Sequence, residues 1–318
     1  MNNLKILCIT PIKHIPNVEN SLEELGQLTI LEDPSPKDLE LIPKDFNVIF
    51  TNPNKSKIFI GPDVFSKWND LNCVCTASTG TVHIDKNYLH ERNIKLISLT
   101  EEYDVLNTIS STAELAFTLM MASLRKLIPA HNSVKSGLWD YEPFVGRQIN
   151  KLKICIFGFG RLGSMFAHYC KSFGADVFIY DPYKDIPSNY KEISHLNSDL
   201  KEMDVISIHM HVNDETKNFF DKSKLAYFKS NVLIINTSRG ELINEDDLVC
   251  FLENNKDARI STDVLSGEIF GFQKSKLFKY SQSSNQVLIS PHIGGMTIDA
   301  QEIAYCHAIK LLKEHINK

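Results

Sequence analysis

The chain has 318 residues, of which 43% are hydrophobic and 23% are charged, and its formal net charge is −5. This length is sufficient for two domains with substantial cores, and the composition excludes a disordered or fibrous protein. Because the net charge is weakly acidic and the lysines are scattered, the chain offers no basic surface to nucleic acid or to an anionic membrane. Neither partner is predicted.

The sequence gives no sign of export, membrane insertion or metal binding. Its first residues, MNNLKILCIT, have too few apolar residues for a signal-peptide core and are predicted to form a strand. No apolar run approaches the roughly 20 residues of a membrane helix. The seven cysteines are an odd number, lie mostly inside apolar runs and complete no zinc site. A cytoplasmic protein without a bound metal is predicted.

The first hundred residues contain short apolar runs separated by helix-like segments, which is the pattern of parallel βαβ construction. Four strands are predicted there, in NLKILCIT, FNVIFTN, LNCVCTAS and IKLISLT, with a helix over VENSLEELGQL between the first two. From Asn107 the pattern NTISSTAELAFTLMMASLRKLIPAH has no Gly or Pro until Pro129, so one long amphipathic helix is predicted.

A second βαβ series follows the polar stretch SGLWDYEPFVGRQINK. Strands are predicted in LKICIFGFG, ADVFIYD, DVISIHM, NVLIINTS, ARISTDV and QVLIS, which are rich in Val and Ile as strands buried on both faces should be. The last segment, TIDAQEIAYCHAIKLLKEHI, is predicted to be a helix. The fold class is therefore α/β with parallel sheets.

A glycine motif joins the strand KICIF to a predicted helix. Gly158 would allow the tight turn, Gly160 would let the backbone approach a pyrophosphate, and Gly163 would let the helix pack close to the strand. Arg161 and Leu162 lie at the helix start, where unpaired N–H groups attract phosphate. The motif predicts a dinucleotide site.

Asp181 ends the next strand, about 20 residues beyond the glycines. Its carboxylate could accept hydrogen bonds from ribose hydroxyls and would repel a 2′-phosphate, which favours NAD over NADP, although Lys184 leaves room for NADP. The alternative is a tight turn of an ordinary α/β protein, in which Asp181 caps a helix before Pro182.

Three charged groups follow later strands, where ligands of parallel α/β folds bind. Arg239 precedes Gly240 after one strand, Glu268 follows the next, and His292 follows the last. Each has a simpler interpretation: Arg239 as a surface ion pair, Glu268 as a solvated acid, and His292 as a turn residue beside Pro291. Most loop charges are solvated.

Seven motifs in order give the chain its resemblance to a family. They are STGTVHID, TAELAF, SGLW, GFGRLG with YDP, INTSRGELINEDDL, DVLSGE and SPHIGGMT. The chain resembles the D-isomer-specific 2-hydroxyacid dehydrogenases over nearly its whole length. The resemblance implies two doubly wound domains, with a Rossmann NAD-binding domain (107–290) inserted into a flavodoxin-like substrate-binding domain (1–106 and 291–318). It also implies an active site in a cleft, and a homodimer formed through the long helix and the GLW segment.

The same resemblance implies roles for individual residues. His292 would be the general acid and base for a small 2-hydroxy or 2-oxo acid, assisted by Glu268. Arg239 would bind the substrate carboxylate and carbonyl oxygen. The remaining assignments are N–H donors to the carboxylate from Ser78, Thr79 and Gly80, and cofactor contacts from Thr237 and Asp263.

Some positions depart from the family pattern. Ile269 replaces a proline, GFQKSKLFKYSQSSN is predicted to form an enlarged surface loop, and His209-Met210-His211 lacks a proline. GRLG and the T-x-x-A-Q pattern from Thr297 resemble phosphoglycerate dehydrogenase, without its carboxyl-terminal regulatory domain.

The substrate is left open by the sequence. Some phosphoglycerate dehydrogenases have arginines where this chain has Asn52 and Thr76, and Lys55 or Lys57 could replace them or be ordinary surface lysines. A different class of function, an NAD(H)-sensing corepressor-like binding protein on the same fold, is the alternative to the enzyme.

Overall fold

A computed structural model describes residues 4–53, 58–268 and 271–317. The chain divides into two compact units, of which unit 1 comprises 1–109 with 296–318 and unit 2 comprises 110–295. Unit 2 is thus inserted between two stretches of unit 1. The assignment of substrate and NAD to separate domains, divided at residues 106 and 291, stays a prediction.

Unit 1 contains a parallel five-stranded sheet in the order β2-β1-β3-β4-β5. Its strands and helices before residue 110 are, in chain order, β1 (Lys5–Cys8), α1 (Val18–Glu23), β2 (Gln27–Ile30), α2 (Pro36–Glu40), β3 (Val48–Thr51), α3 (Pro62–Phe65), β4 (Cys73–Thr76), α4 (Lys86–Glu91), β5 (Lys95–Ile97) and α5 (Tyr103–Leu106). All four residues of β3 and of β4 are buried, because apolar clusters cover both faces of the sheet.

The helix predicted over VENSLEELGQL is too long, because β2 begins at Gln27. The helix ends earlier because the chain turns at Gly26, where a Cβ atom would lie 2.3 Å from the carbonyl oxygen of Leu4. The Gln27 N–H then donates to that same carbonyl at 2.8 Å, which starts the pairing with β1. This edge strand has no buried residue and lacks the apolar run that identified the central strands.

Unit 2 contains a parallel seven-stranded sheet in the order β12-β11-β10-β9-β6-β7-β8. Its elements are α6 (Ser111–Leu124), α7 (Leu127–Lys135), β6 (Lys153–Phe157), α8 (Arg161–Ser172), β7 (Asp176–Tyr180), β8 (Lys191–Glu192), α9 (Leu196–Asp199), β9 (Val205–Ile208), α10 (Lys222–Leu225), β10 (Leu233–Asn236), α11 (Glu245–Asn254), β11 (Arg259–Thr262), α12 (Lys276–Ser281) and β12 (Val287–Ile289). Short 3-10 helices cover 142–144, 149–151, 200–202, 240–242 and 272–274. The exposed edge strand β8 was not predicted.

The predicted long helix after Asn107 is wrong in one respect, because two helices replace it. The chain breaks after α6 at Lys126, which has a left-handed φ of 49°. The carbonyl of Leu124 accepts the N–H of Arg147 at 3.1 Å, so a later segment satisfies it. Pro129 lies in the first turn of α7, where a missing N–H breaks no helical hydrogen bond.

The segment GFQKSKLFKYSQSSN was predicted to be an enlarged surface loop, and this is also wrong. It forms a 3-10 turn and then α12, whose Leu277 is buried in the core of unit 2. Ser275 caps this helix by accepting the Phe278 N–H at 3.0 Å. Polar residues dominate the segment, so one buried leucine did not reveal the helix.

The strand orders confirm the predicted fold class of two doubly wound α/β domains. The order 2-1-3-4-5 of unit 1 is flavodoxin-like, and unit 2 has the Rossmann order extended by one strand. In such sheets ligands bind beyond the carboxyl ends of the strands. Among the helices of the described ranges, none combines the length and hydropathy needed to cross a membrane.

The predicted final helix is present as α13 (Ile298–Ile316), and it belongs to unit 1. Thr297 caps it by accepting the Ala300 N–H at 3.1 Å. Tyr305, Ala308 and Leu312 pack into the same apolar cluster as β1, β3 and β4. The last helix therefore completes a core that the first residues begin.

We expect Leu312→Ala to destabilise unit 1 by about 2–5 kcal/mol, because a fully buried leucine would leave a cavity. Lys310→Ala, at an exposed position of the same helix, should change stability little. Urea unfolding followed by circular dichroism measures both. Equal effects of the two substitutions would contradict the packing of α13 described above.

Candidate functional site

The glycine motif forms a tight turn between β6 and α8. Gly158 has a φ of 91°, and a Cβ atom there would lie 2.7 Å from the carbonyl oxygen of His209. A Cβ atom on Gly163 would lie 2.0 Å from the carbonyl oxygen of Gly158, so the helix could not pack so close to the turn. At Gly160 a Cβ atom would meet no atom within 4 Å. Two glycines are therefore required by the fold, and the third is not.

Gly160 is the N-cap of α8, and its carbonyl accepts the Ser164 N–H at 2.9 Å. The N–H groups in the first turn of an α-helix have no acceptor within the helix, and Leu162 and Gly163 lie in that turn. These donors and the helix dipole favour an anion at this end. Because Gly160 has no side chain and open space beside it, a phosphate group could approach its backbone closely.

Asp181, just after β7, has both carboxylate oxygens engaged by backbone donors. One oxygen accepts the Phe159 N–H at 2.8 Å, and the other accepts the Tyr183 N–H at 3.0 Å. Each oxygen keeps a further lone pair, so the carboxylate can still accept from a ribose hydroxyl. The aspartate thus connects β7 to the glycine turn.

Thr237, after β10, carries a buried hydroxyl that has no hydrogen-bond partner among the described residues. A buried polar group without a partner costs free energy unless a ligand or water satisfies it. Together with the helix end and Asp181, this hydroxyl fits a bound dinucleotide.

Arg239 lies in the loop that follows Thr237. The side-chain amide of Asn236 holds this loop, donating to the Arg239 carbonyl at 2.9 Å and accepting the Ser238 N–H at 3.0 Å. The guanidinium donates to the Ser238 carbonyl at 2.7 Å and, within the described ranges, makes no ion pair. Its other N–H groups are available to a carboxylate or carbonyl oxygen.

Gly240 brings the arginine loop against the next loop. A Cβ atom on Gly240 would lie 2.1 Å from the carbonyl carbon of Leu265 and 2.2 Å from the Ser266 nitrogen. Only glycine permits this approach of two backbones. The residues after Arg239 therefore pack directly on the loop that leads to Glu268.

Glu268 bridges its own loop and the imidazole of His292. One carboxylate oxygen accepts the Leu265 N–H at 2.9 Å, which folds the side chain back over residues 265–268. The other is hydrogen-bonded to Nδ1 of His292. The side chains of Glu268 and His292 are 24% and 38% exposed, so solvent still reaches them.

His292 lies in a strained turn, with a left-handed φ of 55°. The buried carboxylate of Asp263 holds this turn by accepting from the Ser290 hydroxyl at 2.5 Å, the Ile293 N–H at 2.9 Å and the Gly294 N–H at 2.7 Å. Burial raises the pKa of Asp263, and these three hydrogen bonds oppose the shift. Whether Asp263 also contacts a nicotinamide stays a prediction.

The predicted substrate loop of unit 1 follows β4. The Ser78 hydroxyl donates to the Gly80 carbonyl at 2.7 Å, and the Thr100 hydroxyl donates to the Thr79 carbonyl at 3.0 Å. The carbonyls of Thr79 and Gly80 thus accept from hydroxyl groups of unit 1. Within the described ranges, the N–H groups of Thr79 and Gly80 make no hydrogen bond, so they are free to bind an anion.

The structure brings Arg239, Glu268 and His292 into neighbouring loops of unit 2. Sequence analysis did not identify the residues that hold these loops, namely Asn236, Glu241, Glu245 and Ser290. All four lie within the motifs INTSRGELINEDDL and SPHIGGMT, but a motif does not show which of its polar residues hold a loop. Lys55, Lys57 and Ile269 lie outside the described residues.

Comparison with known proteins gave a family match and curated relatives. Residues 117–294, more than half of the chain, match the D-isomer specific 2-hydroxyacid dehydrogenase, NAD binding domain. A hydroxypyruvate reductase of Thermotoga maritima is 30% identical over 254 residues, which are 78% of each chain. A D-3-phosphoglycerate dehydrogenase of Methanocaldococcus jannaschii is 27% identical and matches 95% of this chain. The alignment spans 55% of that relative.

Solved structures share the fold over nearly the whole chain. The pyruvate reductase of Chlamydomonas reinhardtii superposes with a TM-score of 0.86 at 20% identity, covering 99% of this chain and 96% of that one. A D-lactate dehydrogenase of Aquifex aeolicus, complexed with NAD and lactic acid, gives 0.76 at 24% identity, covering 98% and 95%. At such identities the likeness concerns the fold alone. The matched domain binds NAD, and NAD is therefore the cofactor of unit 2.

We expect two glycine substitutions to separate NAD binding from folding. Gly160→Ala should leave thermal stability nearly unchanged, because the added methyl meets open space, but should weaken NADH binding by blocking close phosphate approach. Gly163→Ala should reduce both thermal stability and NADH affinity, because its methyl would clash with the Gly158 carbonyl. NADH fluorescence titration and thermal unfolding measure the pair. Unchanged NADH affinity in Gly160→Ala would refute this location for the phosphates.

Proposed function

We propose that this chain, which belongs to the D-isomer specific 2-hydroxyacid dehydrogenase family, transfers a hydride between NAD(H) and a small D-2-hydroxy acid or 2-oxo acid. The observation that carries the proposal is the hydrogen bond between Nδ1 of His292 and the Glu268 carboxylate. A histidine paired in this way, on a loop beyond a strand end of an NAD-binding sheet, suits acid and base catalysis.

His292 would give and take the proton at Nε2. Glu268 occupies Nδ1, and within the described part of the chain Nε2 makes no hydrogen bond. NADH, when bound, supplies the hydride. The Nε2 proton would pass to the carbonyl oxygen of a 2-oxo acid, and in the reverse direction the neutral imidazole would remove it from the hydroxyl. Glu268 would hold the ring in place and stabilise the imidazolium.

Arg239 would bind the carboxylate and carbonyl oxygen of the substrate. Its guanidinium has several unused donors, and Asn236 fixes the backbone that carries it. A planar guanidinium can bind two oxygens at once and stabilise the negative charge that develops on the carbonyl oxygen. The free N–H groups of Thr79 and Gly80, with Ser78 beside them, are proposed as further donors to the carboxylate.

The substrate is proposed to be a short 2-oxo acid without a phosphate group. Asn52 and Thr76, at the places where some phosphoglycerate dehydrogenases have arginines, are both buried and uncharged. The Asn52 side chain contacts the Tyr305 hydroxyl. Among the relatives, one is named a hydroxypyruvate reductase, which fits such a substrate.

The experiment is an NADH oxidation assay with pyruvate, hydroxypyruvate, glyoxylate, 2-oxoglutarate and phosphohydroxypyruvate. We expect turnover of at least one unphosphorylated acid. His292→Ala should lower kcat by about 100-fold to 10,000-fold and leave NADH affinity nearly unchanged, because the acid acts only in the reaction. Glu268→Gln should have a smaller effect in the same direction.

His168→Ala, which changes an exposed histidine of α8, is the matched control and should behave as the unmodified chain. Tight NADH binding without turnover of any acid would refute the enzyme and favour an NAD(H)-sensing binding protein. An unaffected kcat in His292→Ala would refute the role of that histidine alone.

We also propose that the chain forms a homodimer through α7 and the GLW segment. No residue of α7 is buried, although Leu127, Ile128 and Val134 are large and apolar. Trp139, shortly after the helix, is 91% exposed. Several exposed large apolar residues in one segment are typical of a protein interface, and a second copy would cover them.

We expect the unmodified chain to sediment as a dimer in analytical ultracentrifugation, and Leu138→Glu combined with Trp139→Glu to sediment as a monomer. Two charges would be buried without partners in the interface. Leu41→Glu, at an apolar residue of unit 1 that is 85% exposed, should stay dimeric. A monomeric unmodified chain, or a dimer that survives the double substitution, would contradict this interface.

A reducing compartment, the cytoplasm, is proposed from the cysteines. All seven are free thiols, and five are buried in the two units. Burial raises the pKa of the Cys8 and Cys73 thiols to about 12, so they remain protonated and unreactive. They contribute to packing as small apolar side chains.

A further inference from the structure

We infer that Glu245 is a positioning residue for the reaction: its carboxylate fixes the loop that presents Glu268 to His292. The inference rests on the proposed function, because it acts through Glu268. Glu245 lies in the first turn of α11 and has no predicted role. Its contacts connect the segment after Arg239 to the loop that carries Glu268.

Three consecutive backbone N–H groups in this loop donate to three different carboxylates. Leu265 donates to Glu268 at 2.9 Å, Ser266 donates to Glu245 at 3.0 Å, and Gly267 donates to Glu241 at 3.2 Å. The first bond sets the direction of the Glu268 side chain. The other two attach the loop backbone to the segment that begins at Gly240.

Glu245 also binds the start of α12. Its carboxylate accepts from the Ser275 hydroxyl at 2.8 Å and from the N–H groups of Lys276 and Leu277 at 2.8 Å and 3.3 Å. These are the N-cap and the first two residues of α12. One carboxylate therefore joins the residue two positions before Glu268 to the start of the following helix.

Leu265, at the start of this loop, is buried in the core of unit 2, whereas the residues that follow it border a cavity. A cavity of about 430 Å³ lies there, and Ser266, Gly267 and Gly271 are among the residues that line it. Gly267 and Gly271 have positive φ values of 65° and 121°, so the backbone is held in conformations that other residues rarely adopt. Beyond Leu265, the backbone of the loop is therefore held by hydrogen bonds, and the one from Ser266 to Glu245 is among them.

Removal of this carboxylate would leave the Ser266 N–H facing the cavity without its acceptor. The Leu265 to Glu268 turn could then relax, and the Glu268 carboxylate would move relative to Nδ1 of His292. A misplacement of about 1 Å in a catalytic group can cost about 100-fold in rate. Cofactor binding should not change, because the glycine turn lies on other elements of unit 2.

We expect Glu245→Ala to lower kcat by about 10-fold to 100-fold, with the KM of the 2-oxo acid and the Kd of NADH changed by less than about twofold. Glu245→Gln should lose less, because its amide keeps one acceptor oxygen of the same shape. Asp246→Asn is the matched control: it removes an exposed carboxylate from the same helical turn, one that pairs with Lys276 at 3.4 Å, and should keep full activity.

A double-mutant cycle with Glu268→Gln tests whether Glu245 acts through Glu268. In the Glu268→Gln background, Glu245→Ala should lower kcat little further, because the group that it positions has already lost its charge. Circular dichroism establishes that each variant is folded, and Glu245→Gln carries the test if the alanine variant is not.

Two results would overturn the inference while leaving the proposed function intact. One is a folded Glu245→Ala variant with unchanged kcat although Glu268→Gln is slow. The other is an undiminished effect of Glu245→Ala in the Glu268→Gln background, which would indicate a general structural role. If Glu268→Gln itself has no effect, the proposed role of Glu268 fails, and the positioning role of Glu245 fails with it.

Discussion

The hydrogen bond between Nδ1 of His292 and the Glu268 carboxylate is the interaction on which the candidate site depends. It decides which ring nitrogen is left for a substrate, and it requires loops after β11 and β12 to reach one place. Those loops can meet because β11 and β12 are adjacent parallel strands, whose carboxyl ends lie at the same edge of the sheet. The pairing of Glu268 with His292 thus depends on the parallel, adjacent arrangement of β11 and β12.

Hydrogen bonds from polar side chains fix each of these loops. The amide of Asn236 holds the backbone of Arg239, the carboxylate of Asp263 holds the turn of His292, and the carboxylates of Glu241 and Glu245 hold the approach to Glu268. Backbone groups beyond the last residue of a strand have lost their ladder partners and need others. The same side chains satisfy these groups and set the geometry of the site.

The central parts of the fold could be predicted from the sequence. Runs such as the LIIN of β10 are buried on both faces, so their composition alone identifies them, and Gly163 is required by a close contact with the Gly158 carbonyl within one βα unit. The edge strands β2 and β8 could not be predicted, because none of their residues is buried. At the break after α6, the Leu124 carbonyl accepts the N–H of Arg147, 23 positions later, and no local pattern contains this contact.

The sequence by itself determined the fold class, the NAD-binding turn and the identity of Arg239, Glu268 and His292 as candidates, because each depends on a short pattern beside a strand end. Only the tertiary structure decided that Glu268 faces Nδ1 of His292, that Asp263 holds the histidine turn, and that Glu245 holds the glutamate loop. These contacts join residues 21 to 31 positions apart. Which residues meet in these contacts depends on which strands are adjacent in the folded sheet. No local stretch of the chain determines that adjacency.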